Sequence, residues 1–299
     1  MVALLKHEQP NIWQEEAVQV QRGEIWQLGE HRLLCGDSTN PDEVTRLFRG
    51  ERFALCFTSP PYSDQRTYKL GSFDWHSLMC GAFDRMIEHG KHKCHILINL
   101  GLSHKNRQVD MYWLEWLMYC ASVGWPVFGW YVWDKGSGMP HGNNGRLAST
   151  HEFIFHFCQD GLANKWVKTL GDSTPRPNGR FRESNGVLKK ENSPDKFGQP
   201  YKVPDSVIRI NRAVTSHKLE ANHPAVFPIA LPEFILQTWS QPDNIVYEPF
   251  CGSGTSIIAG ENLQRRVFAC EIEPSYCELA IQRWQHATGQ QAQRMEVDV

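Results

Sequence analysis

The chain has 299 residues, 41% hydrophobic and 21% charged, and its 31 Lys and Arg against 33 Asp and Glu give a net charge of −2. That balance excludes a disordered tail or a collagen-like fibre, and the length suits one large α/β domain with an insertion, or two domains. A near-neutral total also argues against a nucleic-acid partner, unless the charge is unevenly spread along the chain.

No run reaches the roughly 18 apolar residues of a membrane span, and the opening MVALLKHEQPNIWQEE lacks the layout of a signal peptide, so a cytoplasmic protein without membrane association is expected. The nine cysteines are scattered with no CxxC pair, indicating neither a disulfide framework nor a zinc ribbon. His89, His92, Cys94 and His95 lead into an apolar run that would splay them, so they read as a solvated helix end and no metal is expected.

In chain order, 31–36 (HRLLCG) and 53–58 (FALCFT) are short β-prone runs, and the PDEVTRLFRGER between them reads as a helix capped near Asn40 with Pro41 at its first position. A helical stretch around 74–89, an apolar strand at 94–101 and an aromatic-rich amphipathic helix near 108–123 follow, then strands at 126–133 and 151–157. Helices alternating with continuous apolar strands predict βαβ units, hence a doubly wound, mostly parallel sheet with helices on both faces. Between 160 and 204 the periodicity stops, and ten glycines and prolines punctuate the segment. Charge changes here too: 12 Lys and Arg face 7 acids over 160–220, a local +5 against −7 for the remainder. Lys165, Arg176, Arg180, Arg182, Lys189, Lys190 and Lys196, interleaved with Trp166, Phe181, Phe197 and Tyr201, suit a nucleic-acid strand. After 220 a helix is expected at 229–240, a strand at 244–249, a helix at 255–263, a strand at 266–271 and a helix at 275–287.

Two motifs carry chemistry. Phe250-Cys251-Gly252-Ser253-Gly254-Thr255 joins a strand to a helix, where glycines admit a ligand close to the backbone and the helix start offers N–H groups. Glu271, ending the next strand, is placed to accept hydrogen bonds from ribose hydroxyls. The third fingerprint position is Ile257 and no Gly-Lys-Ser/Thr follows, so the expected ligand is a nucleoside without a phosphate chain. The second motif, Thr58-Ser59-Pro60-Pro61-Tyr62, lies at the carboxyl end of a strand, where open α/β sheets hold their ligands. Its prolines remove two N–H donors, leaving the Ser59 hydroxyl and the Pro60 carbonyl as acceptors for an exocyclic amine, with Tyr62 as a stacking face; an ordinary turn is the alternative. Asp134 and Lys135 either border that pocket or form a surface ion pair, and Asp64, Arg66 and Tyr68 lie in a polar loop beside it. Because only about 30 residues follow Glu271, the other strands of the sheet must come from upstream, a permuted order.

Over residues 24–287, through GEIWQLGEHRLLCGDST, TSPPY, HPAVFP and VYEPFCGSGTSIIAGENLQRRVFACEIEPSYCELAIQRW, the chain resembles the DNA amino-methyltransferases that use S-adenosylmethionine, in their permuted subgroup. The resemblance implies a Rossmann-like fold made of an N-terminal extension (1–23), a catalytic half (24–159), a target-recognition insertion (160–215) and a cofactor-binding half (216–299). It implies that Ser59, Pro60, Pro61 and Tyr62 are catalytic and act on a flipped-out base. Gly252, Ser253, Gly254 and Thr255 would wrap the methionine end of the cofactor beside Phe250. Glu271 would hold the ribose, Asp37 the adenine amino group, and the helix-leading segment from His223 to Pro228, through His223 and Phe227, would lie by the methionine. Glu248, which stands where the family usually has Asp, is counted among the cofactor contacts as well. Ser59 resembles the enzymes that methylate the 4-amino group of cytosine; the 6-amino group of adenine, an RNA base, a protein amide, an NAD-dependent oxidoreductase and a non-catalytic nucleotide-binding module are the alternatives. Double-stranded DNA is the implied partner, a cognate restriction endonuclease is admitted, and monomer and dimer are equally compatible.

Overall fold

The computed structural model describes residues 18–62, 74–136, 145–159, 167–168, 180–190, 201–202, 204–212 and 227–296. Its elements begin with β1 (Ile25–Leu28), β2 (His31–Cys35), α1 (Pro41–Phe48), β3 (Phe53–Thr58), α2 (Trp75–His89), β4 (Gly90–Leu100), β5 (Ser103–Lys105), β6 (Gln108–Asp110), α3 (Leu114–Ser122), β7 (Val127–Asp134) and β8 (His151–Phe157). Short strands β9 (Val167–Lys168), β10 (Arg180–Arg182), β11 (Leu188–Lys190), β12 (Tyr201–Lys202) and β13 (Val207–Arg209) follow. The chain continues through α4 (Ala230–Trp239), β14 (Ile245–Glu248), α5 (Thr255–Asn262), β15 (Arg266–Glu271), α6 (Pro274–Thr288) and β16 (Gln293–Arg294).

Helix α1 forms as the sequence dictates: the Asn40 side chain accepts from the Asp42 and Glu43 N–H groups, Pro41 takes the first turn, and Val44, Leu47 and Phe48 are buried. Ten strands form one sheet in the order β13-β7-β8-β4-β3-β14-β15-β2-β1-β16, with five of its nine pairings parallel. The parallel block β4-β3-β14-β15-β2 is the centre, and in it β14 and β15 separate β2 from β3. Its side chains alternate between two cores. Cys56 packs with Trp75, Phe83 and Trp116 of α2 and α3, whereas Leu55 and Phe57 pack with Ile235, Ile257, Ile281 and Trp284 of α4, α5 and α6.

Three expectations need correction. Strands β7 and β8 do not continue the βαβ series: they pair antiparallel, as β8 does with β4, and the described residues between them form no helix. The helix expected from 108 begins only at Leu114, because residues 103–110 form a hairpin whose two turn residues, Asn106 and Arg107, have φ of 50° and 65°. The histidine cluster is not a solvated helix end either. His89 closes α2, but β4 already starts at Gly90; Cys94 and His95 are buried in it, and His95 Nδ1 lies 2.9 Å from His156 Nε2. Burial pushes these imidazoles down, to about 4 for His95 and about 3 for His156, so both are neutral near pH 7. Among the described residues no three His, Cys, Asp or Glu side chains converge as metal ligands, and no helix is long and apolar enough to cross a membrane.

Candidate active site

The carboxyl ends of the adjacent strands β3, β14, β15 and β2 carry, respectively, the SPPY tract, the glycine turn, Glu271 and Asp37. These segments line a single cavity. Ser59, Pro60, Pro61 and Tyr62 form one part of its wall, and Asp37, Phe227, Phe250, Gly252, Ser253, Thr255 and Glu271 another. His223 lies outside the described residues, as do Asp64, Arg66 and Tyr68.

At the glycine turn, Gly252 has φ 52° and donates its N–H to Glu271 Oε2 at 2.8 Å, while Glu273 N–H donates to Oε1 at 2.9 Å. Burial pushes the Glu271 carboxyl up, and the backbone donors offset part of that rise. Arg283 clamps the turn from α6, its Nη1 reaching the Ser253 carbonyl at 2.6 Å, Ser253 Oγ at 2.8 Å and Thr255 Oγ1 at 3.2 Å. Asp37 Oδ1 accepts from Thr39 N–H and Oγ1 at 2.9 and 2.8 Å, which fixes its carboxylate at the cavity wall.

Gly254 and Glu248, both expected to meet the cofactor, do not line the cavity. Gly254 serves packing: its φ is +81°, and a Cβ there would lie 2.8 Å from Ala280 Cβ of α6. Glu248 is 1% exposed beneath the turn, accepting from Phe250 N–H at 3.2 Å and Ser256 Oγ at 2.8 Å. Burial lifts its carboxyl to about 8 against an ordinary value of 4.5. Between those values the folded protein holds a proton that the unfolded chain has released, so stability falls as pH rises through that window. Glu248→Gln is expected to remove this slope, read as the difference in urea midpoint between about pH 5 and pH 8.

The other end of the cavity holds a network that sequence reasoning missed. Tyr62 OH donates to Glu152 Oε2 at 2.7 Å and lies 3.2 Å from Ser59 Oγ. Asn99 Nδ2 reaches Glu152 Oε2 at 2.6 Å and Tyr62 OH at 3.2 Å. Lys135 Nζ completes it with an ion pair to Glu152 Oε1 at 2.8 Å. Lys135 is therefore a pocket residue through its partner, and not half of a surface pair with Asp134, whose Oδ1 instead accepts from Gly136 N–H. Burial pushes the Glu152 carboxyl up, but the Lys135 charge and the bonds from Lys135, Tyr62 and Asn99 outweigh it and hold the group below its ordinary value. A signal existed: Asn99 and Glu152 are polar residues inside apolar strands, which implies a partnered, buried role.

Cys251 also touches the cavity, but burial and the nearby Glu248 and Glu271 push its thiol far up, so it is no activated nucleophile. Of the basic residues, Arg180 and Arg182 lie on β10 and Lys189 and Lys190 on β11, an antiparallel ribbon with Arg180 opposite Lys190 and Phe181 opposite Lys189. Lys165, Arg176 and Lys196 lie outside the described residues.

The cavity sets a nucleoside-type glycine turn beside an acceptor-rich Pro-Pro tract, the proximity that group transfer between two bound molecules needs. A DNA methylase family profile matches residues 53–282. The chain belongs to the DNA methylase family. This methylase is 30% identical over 277 residues to the Type II methyltransferase M.PvuII of Proteus hauseri, across 82% of this chain and 80% of that one. Its fold matches the solved PvuII DNA methyltransferase, described as cytosine-N4-specific, with a TM-score of 0.61 at 19% identity over 86% of this chain and 89% of that one. A putative DNA modification methylase of Thermus thermophilus, solved with S-adenosyl-L-methionine, superposes with a TM-score of 0.54 at 19% identity over 86% and 94% of the two chains. The methylase is thus a DNA amino-methyltransferase.

Proposed function

We propose that this methylase transfers the methyl group of S-adenosylmethionine to the exocyclic 4-amino group of a flipped-out cytosine in double-stranded DNA. The observation that carries the reading is that Ser59 and the Gly252–Ser253 turn line the same cavity. Cytosine is favoured by Ser59 at the head of the tetrapeptide and by the likeness to M.PvuII.

The cavity suits a nucleoside with a short charged tail. Glu271 and Asp37 offer carboxylates at two strand ends for hydroxyl and amino hydrogens, and Phe250, Phe227 and Ile272 supply apolar walls. When bound, S-adenosylmethionine supplies a sulfonium methyl that needs no further activation. The protein's task is on the amine, whose lone pair is delocalised into the ring. Acceptance of its N–H hydrogens by Ser59 and the Pro60 carbonyl favours a pyramidal nitrogen and aims the lone pair, and such alignment is worth several kcal/mol of barrier. Among the described residues lining the cavity the thiol is that of Cys251, which burial keeps protonated, so attack through carbon 5 of the pyrimidine finds no thiolate there to start it.

Flipping the base out of the duplex costs a few kcal/mol, recovered in the pocket. Residues 160–215 are read as the target-recognition insertion, whose β10–β11 ribbon pairs positions rich in Arg and Lys, residue types that suit phosphates flanking the target. The likeness to Type II relatives admits a cognate restriction endonuclease as a partner.

Glu271→Ala is expected to weaken cofactor binding about 10- to 100-fold, as loss of hydrogen bonds to a charged group does, read by titration calorimetry. The function itself is tested by incubating the protein with labelled S-adenosylmethionine and unmethylated mixed-sequence DNA, then digesting to nucleosides. Label on N4-methylcytosine is expected; label on adenine shifts the reading to the 6-amino group, and DNA without label overturns it.

A further inference from the structure

We propose that Glu152 is a positioning residue that sets the direction of the Ser59–Tyr62 hydrogen bond, so that Ser59 meets the target amine as an acceptor. The inference rests on the reading of Ser59 as the amine's partner and explains how a hydroxyl, which can donate as readily as accept, is made to accept.

The argument is one of counting protons. Tyr62 has one hydroxyl proton, and it goes to Glu152 Oε2 at 2.7 Å, because an ionised carboxylate only accepts. The Tyr62 oxygen is then left with lone pairs alone. Its neighbours are therefore donors: Asn99 Nδ2 at 3.2 Å and Ser59 Oγ at 3.2 Å. Ser59 spends its single proton on Tyr62 and presents lone pairs to the cavity it lines. The Asn99 amide is fixed in this sense too, since turning its oxygen toward Glu152 Oε2, 2.6 Å from Nδ2, would set two acceptors against each other. Lys135, 2.8 Å from Oε1, keeps the carboxylate anionic, in line with its lowered proton affinity.

A neutral amide at position 152 breaks the logic. Lys135 claims the amide oxygen, so the NH2 faces Tyr62 and Asn99. Tyr62 must then accept, its proton turns to Ser59 or to an Asn99 oxygen turned toward the new NH2, and the Ser59 proton is no longer held on Tyr62 and is free to point at the amine.

The test is single-turnover transfer from labelled S-adenosylmethionine to unmethylated plasmid DNA by wild type, Glu152→Gln, Tyr62→Phe and the double variant. Glu152→Gln is expected to slow transfer about 10- to 100-fold while the dissociation constants for cofactor and DNA stay within about twofold. In the Tyr62→Phe background, which has no hydroxyl to pass the polarity on, Glu152→Gln should cost nothing further. Equal losses in both backgrounds, the pattern of a merely structural role, would overturn the proposal, as would a wild-type rate in Glu152→Gln. Should that variant not fold, Glu152→Gln combined with Lys135→Met replaces it: freed of Lys135, the amide can turn its oxygen to Tyr62. Its rate should return to within about threefold of wild type, and a rate as low as that of Tyr62→Phe overturns the proposal. Failure of the wild type to label any DNA would instead overturn the proposed function itself.

Discussion

Lys135→Met is expected to lower the unfolding free energy by about 3–5 kcal/mol, the cost of leaving a buried charge without its partner. Lys135 and Glu152 are each only 12% exposed in their side chains and 2.8 Å apart, so solvent cannot replace the ammonium. The loss carries a pH signature. In the wild type the Glu152 carboxyl lies below its ordinary value of 4.5, so its contribution is present above that value and fades as pH falls through the folded one. Without Lys135, burial dominates and the carboxyl rises above 4.5. Stability is then retained at low pH and lost as pH rises. The deficit relative to wild type should therefore grow from about pH 4 upward, measured by urea unfolding across a pH series; a deficit that ignores pH would show that Lys135 acts through packing of its stem instead.

Ser59→Ala is expected to reduce single-turnover methyl transfer about 100- to 1,000-fold, the usual cost of removing one preorganised hydrogen-bond partner from a reacting group, with cofactor affinity unchanged. Ser59 belongs to the tract beyond β3, whereas the groups read as cofactor contacts sit beyond β14, β15 and β2. Calorimetry on the same variant separates the outcomes: a parallel fall in cofactor affinity would mean that Ser59 shapes the cavity rather than the amine.

The centre of the sheet and both motifs were legible in the sequence because each is local. FALCFT, NIVYEP and RVFACE are apolar strands bounded by turn residues, and the helix after Asn40 announces its own cap. The β5–β6 hairpin was not legible, since Arg107 at φ 65° breaks the usual turn chemistry and its flanking residues suit a helix equally well. That Gly254 and Glu248 stand behind the cavity wall was not legible either: a glycine at a turn serves a close ligand or a close helix alike, and only the structure brings Ala280 up to Gly254. Asn99 and Glu152 are separated by 53 positions and meet only because β8 runs antiparallel to β4, a pairing no pattern within either strand reveals.

The place of β14 and β15 between β2 and β3 has a consequence for how the protein is made. Strands β2 and β3 leave the ribosome almost together, yet the edges they turn toward each other in the finished sheet stay bare until residues 245–271 have been synthesised. A nascent chain therefore carries two strand edges of unpaired backbone N–H and C=O groups through most of translation, a hazard that favours chaperone attendance and slow, late closure. A break anywhere between residues 212 and 227 would put the tetrapeptide and the glycine turn on separate fragments, neither of which is expected to transfer a methyl group alone. The seam between such fragments would comprise the backbone bonds of β3 with β14, β15 with β2 and β1 with β16, together with the core that Leu55 and Phe57 share with α4, α5 and α6, and co-expressed fragments are expected to reassemble along it.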